Sequence, residues 1–213
     1  MAENRAGHDS QRDRARHPQS ATASRWPLLR VGVMVTVIDR PAAEEMVFRD
    51  SSVAALDRAL EELASVVVAL GPDAYTARLF PAASGSIGEH VRHCLDHVAA
   101  LVSADPSACL SYDHRERGTA VETDPVQALR SLQLLRLKIA VGRWSTRLDE
   151  PICVISTMAP GGVMLSGMST LARELAFVLN HTIHHQAMIG LLATLLGCDL
   201  PDGFGFAPST PRQ

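Results

Sequence analysis

The sequence predicts an all-α protein, a four-helix bundle with a small β-hairpin inserted before the last long helix. Four segments repeat apolar residues at the period of an amphipathic helix, and one segment around Pro160-Gly161-Gly162 does not. No internal repeat is present. The chain has 213 residues, 46% of them hydrophobic and 20% charged, which is the composition of one globular domain with an additional tail.

Each predicted helix is bounded by residues that cap or stop helices. Ser86 and Glu89 form an S-x-x-E capping box at the start of the second helix. Asp124 and Pro125 supply a cap and a first-turn proline for the third, although Gly142 disfavours helix in its last two turns. The expected bounds are about 51–70, 86–104, 125–148 and 170–196.

A hairpin is expected over residues 151–168, because two short apolar runs flank the Pro-Gly-Gly turn. The helices and this insertion form a predicted domain over residues 46–213. Residues 1–45 are expected to be a largely disordered extension, since polar residues crowd its first half without a helical period. Met34 and Met46 are alternative starts of the protein.

Charge and composition exclude several classes of partner. The formal net charge is −3 and aromatic residues make up 4% of the chain, which disfavours nucleic acid as a partner. The apolar stretch from Val31 to Ile38 is far shorter than the roughly 20 residues that span a bilayer, so no membrane partner is expected. The four cysteines are scattered and no secretory signal accompanies them, which predicts reduced thiols and a cytoplasmic protein.

Six of the nine histidines fall on the second and fourth predicted helices. His181 and His185 are one turn apart on the apolar face of the fourth helix, so both rings should point into the bundle. Neutral imidazole is a common ligand of zinc, nickel and iron, and bundles build metal sites from facing helices. The second helix supplies candidates for a third ligand, and the helical wheel favours His90 or His97 over His93.

The stretch Ser86-Ile87-Gly88-Glu89-His90-Val91-Arg92-His93, with Asp96, and the downstream stretch Asn180-His181-Thr182-Ile183-His184-His185-Gln186 resemble the DinB/YfiT-like superfamily over about residues 51–197. The resemblance implies a four-helix bundle with three metal-binding histidines, here His93, His181 and His185. Characterised members of that superfamily include bacillithiol- or mycothiol-dependent transferases and a thiol-dependent maleylpyruvate isomerase. The resemblance therefore implies a metal centre that activates a low-molecular-weight thiol.

Other side chains are candidates for supporting roles at this site. Tyr112, Arg115 and Arg117, in the loop after the second helix, are candidate substrate-binding residues, although a solvated charged loop explains the two arginines equally well. Glu174 or His97 is a candidate catalytic proton acceptor. Asn180 and Gln186 are candidates for orienting the metal ligands, and the alternative for both is a position on the surface.

The sequence thus favours a metal-dependent thiol transferase or isomerase acting on an electrophilic small molecule. Its expected cofactors are a divalent ion, zinc or nickel before iron, and a low-molecular-weight thiol. A hydrolase that uses an activated water, a non-catalytic stress-response binder, and an iron oxygenase with Glu174 as a ligand are the alternatives. A homodimer is compatible with exposed helix faces, but no feature of the sequence specifies it.

Overall fold

The computed structural model describes residues 42–79, 85–114 and 116–211. Within these ranges the protein is mostly helical and carries one small sheet. Residues 1–41 of the predicted extension, with the alternative start at Met34, lie outside the described residues, whereas residues 42–45, expected to be largely disordered, form the first turn of α1. The helices are α1 (Ala42–Ala69), α2 (Pro72–Thr76), α3 (Ile87–Val102), α4 (Ala120–Thr123), α5 (Pro125–Val141), α6 (Trp144–Arg147) and α7 (Leu171–Leu195).

Four long helices, α1, α3, α5 and α7, form the body of the described chain. Helix α3 packs against α5 and α7, and α1 packs against the same two helices. Their facing sides hold a continuous apolar core, with Leu60, Ile87, Leu132 and Ile189 among its most buried residues. Burial of this apolar surface is the main force that holds the helices together.

The predicted hairpin is present. Its strands are β2 (Pro151–Ala159) and β3 (Val163–Thr170), and they pair antiparallel around a turn at Gly161 and Gly162. Both glycines have positive φ, which side-chain-bearing residues rarely adopt. A third strand, β1 (Cys109–Leu110), pairs in parallel with β2 and makes β2 the central strand. This short strand was not predicted.

The expectation of four reduced cysteines is wrong for two of them. Cys109 and Cys153 are register partners in β1 and β2 and form a disulfide. The two residues are 44 positions apart in the sequence, and only the parallel pairing of β1 with β2 brings their Cβ atoms together. Cys94 and Cys198 are free thiols.

Two helix bounds differ from the prediction. Helix α1 begins at Ala42, nine residues before the expected Ser51. The third predicted helix breaks at Gly142, and its last turn is the separate helix α6. The reason lies at Arg143, whose φ of 50° is left-handed and cannot continue an α-helix. No helix among the described residues is long and apolar enough to cross a membrane.

Candidate metal centre

Helix α3 is held in place by the residues that begin it. The Ser86 side chain accepts a hydrogen bond from the backbone N–H of Glu89, and the Glu89 carboxylate accepts one from the Ser86 backbone N–H. This is the predicted capping box, and it satisfies two backbone donors that a helix start leaves without partners. Arg78 donates a further hydrogen bond to Glu89 at 2.6 Å. Ser86 and Glu89, which begin the stretch that resembles the DinB/YfiT-like superfamily, therefore have structural roles.

The next turn of α3 packs against α4. Gly88 lies so close to α4 that an added Cβ would sit 2.1 Å from the Glu122 carbonyl oxygen. Arg92 is 8% exposed, and its guanidinium forms ion pairs with Glu122 at 2.7 Å and with Asp96. A buried charge needs such partners. These contacts orient α3 so that its histidines face α7.

Three histidines of α3 and α7 form a cluster that can hold a metal ion. His93, His97 and His181 each offer one ring nitrogen, and these nitrogens all lie within 4.8 Å of one another. The Nε2 atoms of His93 and His181 are 3.1 Å apart. Two nitrogens bound to one tetrahedral zinc ion lie about 3.3 Å apart, given zinc–nitrogen bonds of about 2.0–2.1 Å. The His93–His181 distance and the three-nitrogen donor set therefore fit a divalent transition metal.

His97 is oriented by the backbone of its own helix. Its Nδ1 lies 3.0 Å from the carbonyl oxygen of His93, one turn earlier. Because a carbonyl oxygen only accepts hydrogen bonds, Nδ1 carries the proton and Nε2 keeps the lone pair that a metal needs. His97 is also 3% exposed, and its ring stacks on that of His181 with centroids 4.0 Å apart.

Tyr112 lies over the cluster from the segment that follows β1. Its ring stacks on His97 with centroids 5.2 Å apart and planes 5° apart. The Tyr112 hydroxyl donates to Glu174 Oε2 at 3.0 Å, and the Ser169 hydroxyl donates to Glu174 Oε1 at 2.6 Å. Burial and the neighbouring Glu174 carboxylate raise the pKa of Tyr112 far above its usual range, so the hydroxyl stays protonated. Phe177 packs against Tyr112 and His181 and completes the aromatic wall.

His185 lies beside this cluster and is paired with His90. The Nδ1 atoms of the two residues are 3.0 Å apart, and the His185 ring centroid is 4.6 Å from those of His93 and His181. Burial, followed by the neighbouring histidines, lowers the pKa of His185 to about 3. Burial also lowers the pKa of His90. Both rings are therefore neutral at neutral pH.

The structure thus brings together most of the predicted site residues, but the three that form the metal-ligand cluster differ from the predicted set. His97, expected as a proton acceptor, stands in the ligand cluster where the resemblance implied His185. Glu174 is 6% exposed and accepts hydrogen bonds at both oxygens. Sequence reasoning did not find Ser169 or Phe177. The signal for His97 was present, because His93 and His97 repeat the H-x-x-x-H spacing of His181 and His185.

The other predicted residues lie as follows. Gln186 is 1% exposed and donates to the main-chain oxygen of Ala59 at 2.7 Å, which joins α7 to α1. Asn180 and Arg117 are exposed, and Arg115 lies outside the described residues. Cys94 is fully buried next to His93, and burial raises the pKa of its thiol to about 12, so it is no nucleophile at neutral pH.

A separate cavity of about 790 Å³ opens between α3, α5 and the segment 111–121. It is lined by polar residues, among them Arg92, Asp96, His114 and Lys138, and by an apolar floor that includes Leu135. Arg92 and Asp96 directly precede His93 and His97 in the sequence. Helix α3 therefore separates this cavity from the histidine cluster.

Comparison with known proteins gives little further assignment. No family model matches the chain. A stretch of 102 residues, 47% of the chain, is 32% identical to a protein named FK506-binding protein 5 from Rhizopus delemar. The chain spans 26% of the length of that relative, and a match of this extent does not show a family for the present protein.

Proposed function

We propose that this protein is a metal-dependent enzyme whose His93, His97 and His181 hold a divalent ion that activates a low-molecular-weight thiol. The observation that carries the proposal is the convergence of three ring nitrogens within 4.8 Å from two facing helices. The packing of the four long helices supports a four-helix bundle of the DinB-like kind, which the two histidine stretches resemble. Zinc and nickel lead as candidates for the ion, and iron follows.

The donor set supports catalysis rather than a purely structural role. Three neutral nitrogens leave part of the coordination shell of a divalent ion for a small molecule. Such an ion supplies Lewis-acid chemistry, which lowers the pKa of a thiol from about 8.5 into the physiological range. The substrate is then an electrophilic small molecule to which the sulfur is transferred, or which is isomerised.

The surrounding residues of the chain hold the histidines in position. The His93 carbonyl fixes the Nδ1–H tautomer of His97, and the stacked Tyr112 ring restricts rotation of the His97 imidazole. Glu174 holds the Tyr112 hydroxyl, and Ser169 holds Glu174. Such supporting hydrogen bonds are worth about 10–100-fold in metal affinity or activity. Tyr112 and Glu174 therefore act as positioning residues in this proposal.

Hydrolysis with water as the nucleophile is the second candidate. It needs a base, and the two groups expected for that role are His97 and Glu174. In the structure His97 belongs to the ligand cluster, and both oxygens of Glu174 accept hydrogen bonds from the protein. These contacts favour the thiol, whose lower pKa makes a separate base less necessary. A binding protein without turnover and the cytoplasmic location remain predictions of the sequence.

Metal content is the first test. We expect about one equivalent of zinc, nickel or iron by elemental mass spectrometry in protein purified without a nickel column. His93→Ala, His97→Ala and His181→Ala should each weaken binding by more than about 100-fold, since even supporting residues are worth 10–100-fold. His184→Ala is the matched control, because His184 lies on α7 with His181 but is exposed. Full metal content in all three variants would refute the proposed centre.

The same experiment separates the two candidate ligand sets. If His97→Ala loses the metal and His185→Ala keeps it, the cluster seen in the structure is the ligand set. The reverse result assigns the third position to His185, as the resemblance implies. Either pattern is read from the same metal measurement on matched variants.

Thiol dependence is the second test. We expect the metal-loaded protein to accelerate the reaction of cysteine or glutathione with 1-chloro-2,4-dinitrobenzene, followed by absorbance, and His181→Ala to abolish the acceleration. p-Nitrophenyl acetate without added thiol probes the hydrolase alternative. Turnover of the ester alone favours hydrolysis. Bound metal with no turnover of either probe favours the binding protein.

A further inference from the structure

The disulfide Cys109–Cys153 joins the segment that carries Tyr112 to the central strand of the sheet. Cys109 is the first residue of β1, and Tyr112 follows it by three residues. Strand β1 has only two residues and pairs in parallel with β2, an arrangement with few ladder hydrogen bonds. The covalent bond is therefore a major part of what fixes this segment to β2.

Three further contacts hold the same segment. Leu110 is 6% exposed in the core, and the Tyr112 hydroxyl donates to Glu174. The Asp113 carboxylate accepts a hydrogen bond from the backbone N–H of Thr157 in β2 at 2.6 Å. Each is a single contact of the kind that contributes modestly to stability. The segment 109–113 is thus joined to β2 by the disulfide at Cys109 and contacts the histidine cluster through Tyr112.

The disulfide is accessible to solvent on one side. Cys109 is exposed and Cys153 is partly buried. Exposed disulfides exchange with small thiols more readily than buried ones. The free cysteine Cys94, in contrast, is fully buried and does not compete for such reagents.

We propose that Cys109–Cys153 is a thiol-exchange site, at which a low-molecular-weight thiol opens the disulfide and releases the Tyr112 segment from the histidine cluster. The incoming thiolate attacks the exposed Cys109 Sγ and forms a new S–S bond there. The old S–S bond breaks, and Cys153 leaves as a thiolate that takes a proton from solvent. The product is a mixed disulfide at Cys109 and a thiol at Cys153.

A second molecule of the small thiol completes the reduction. Its thiolate attacks the non-protein sulfur of the mixed disulfide, and Cys109 leaves as a thiolate that is then protonated. The two small thiols are oxidised to their disulfide, and the protein disulfide is reduced by two electrons. The atoms and electrons balance without a metal ion, so this inference does not depend on the proposed metal centre.

Differential alkylation tests the exchange. The full chain is first treated with N-ethylmaleimide to block free thiols, then incubated with glutathione, and finally treated with iodoacetamide. We expect peptide mass spectrometry to find glutathione on Cys109 and the iodoacetamide label on Cys153. N-ethylmaleimide on Cys109 or Cys153 in the first step would show that the disulfide is not formed. The iodoacetamide label on both residues would show the complete reduction, whereas neither glutathione nor that label on either residue would show that the disulfide does not exchange.

Hydrogen exchange tests the release. When the disulfide is opened, we expect backbone amides of residues 110–113 to exchange at least tenfold faster, while those of α5 stay protected and report an intact fold. The double variant Cys109→Ser with Cys153→Ser should behave like the reduced protein, and Cys198→Ser is the matched control. Unchanged protection of residues 110–113 in the reduced protein would overturn the release while leaving the metal measurements unaffected.

Discussion

Helix α3 presents one face to α7 and another to α4, and the two faces hold different kinds of residues. The face toward α7 carries His93 and His97, and one ring nitrogen of each lies within 4.8 Å of a ring nitrogen of His181. The face toward α4 carries Gly88 and Arg92, whose neighbours are a backbone carbonyl and carboxylates. The first face offers lone pairs, whereas the second has its polar groups matched within the protein.

This difference separates stability from chemistry within one helix. A residue on the α4 face acts by close packing or by balancing a buried charge, so its loss should lower the free energy of unfolding. A ligand histidine on the α7 face acts through a lone pair, so its loss should remove metal with a smaller change in the stability of the metal-free protein. Substitutions on each face can therefore test whether stability and metal binding depend on different residues of α3.

The largest expected effect on stability is that of Arg92→Met. This change leaves Glu122, itself 9% exposed, without its ion-pair partner. Breaking a buried ion pair by removing one partner costs about 3–5 kcal/mol. We expect the free energy of unfolding, measured by urea titration, to fall by that amount. Arg78→Met is the control, because Arg78 is exposed and Glu89 only partly buried, so loss of this ion pair should cost about 1 kcal/mol or less.

A loss of less than about 1 kcal/mol in Arg92→Met would show that contacts with α4 do not hold the helix in place. We expect the folded fraction of Arg92→Met to bind the metal as the wild type does, measured by its metal content.

Gly88→Ala should have the next largest effect. The added methyl group would meet the Glu122 carbonyl and the Tyr75 ring at 2.1 and 2.6 Å, so α4 or α2 must move. Overpacking of this kind costs about 1–3 kcal/mol, and contact with backbone favours the upper end. Differential scanning calorimetry measures the change. Gly71→Ala, where an added Cβ meets nothing within 4 Å, should leave the melting temperature nearly unchanged, and equal effects of the two substitutions would contradict the packing argument.

A pair of tyrosines provides the smallest and most specific test. Tyr112→Phe removes the donor to Glu174 on the α7 side, and Tyr75→Phe removes a 2.7 Å hydrogen bond to the Val121 carbonyl on the α4 side. Each should lower the free energy of unfolding by about 1–2 kcal/mol. We expect only Tyr112→Phe to weaken metal binding, by up to about tenfold, measured by competition with a chelating dye. Equal metal affinity in both variants would show that Tyr112 does not support the cluster.

The parts of the structure that follow from sequence are those that local chemistry determines. The start of α3 is predictable because Ser86 and Glu89 lie within one turn and satisfy each other's backbone groups. The break near Gly142 and the hairpin turn at Gly161 are signalled by residues with unusual backbone freedom. No such local signal marks the disulfide, since Cys109 and Cys153 meet only through the pairing of distant strands.

The candidate metal ligands are determined partly by local sequence and partly by the packing of distant segments. The i, i+4 spacing identifies which histidines share a helix face, but the nitrogens that meet depend on how α3 and α7 rotate against each other. Contacts with α4, made by Gly88 and Arg92, set that rotation for α3. A helical wheel contains no information on them. His181 was therefore predictable from the spacing and His93 from the resemblance, whereas the choice of His97 over His185 as the third member required the packed structure.

The hydrogen bond between His97 and the carbonyl oxygen of His93 limits how this site can diverge among related sequences. In many metal sites the group that orients a ligand is another side chain, so a point mutation can retune the ligand without deleting it. Here the orienting group is a peptide oxygen, which every amino acid at position 93 would supply. Substitution at position 93 cannot remove this oxygen, so gradual change in metal preference should arise around His93 and His181 and at Tyr112, whose ring stacks on His97.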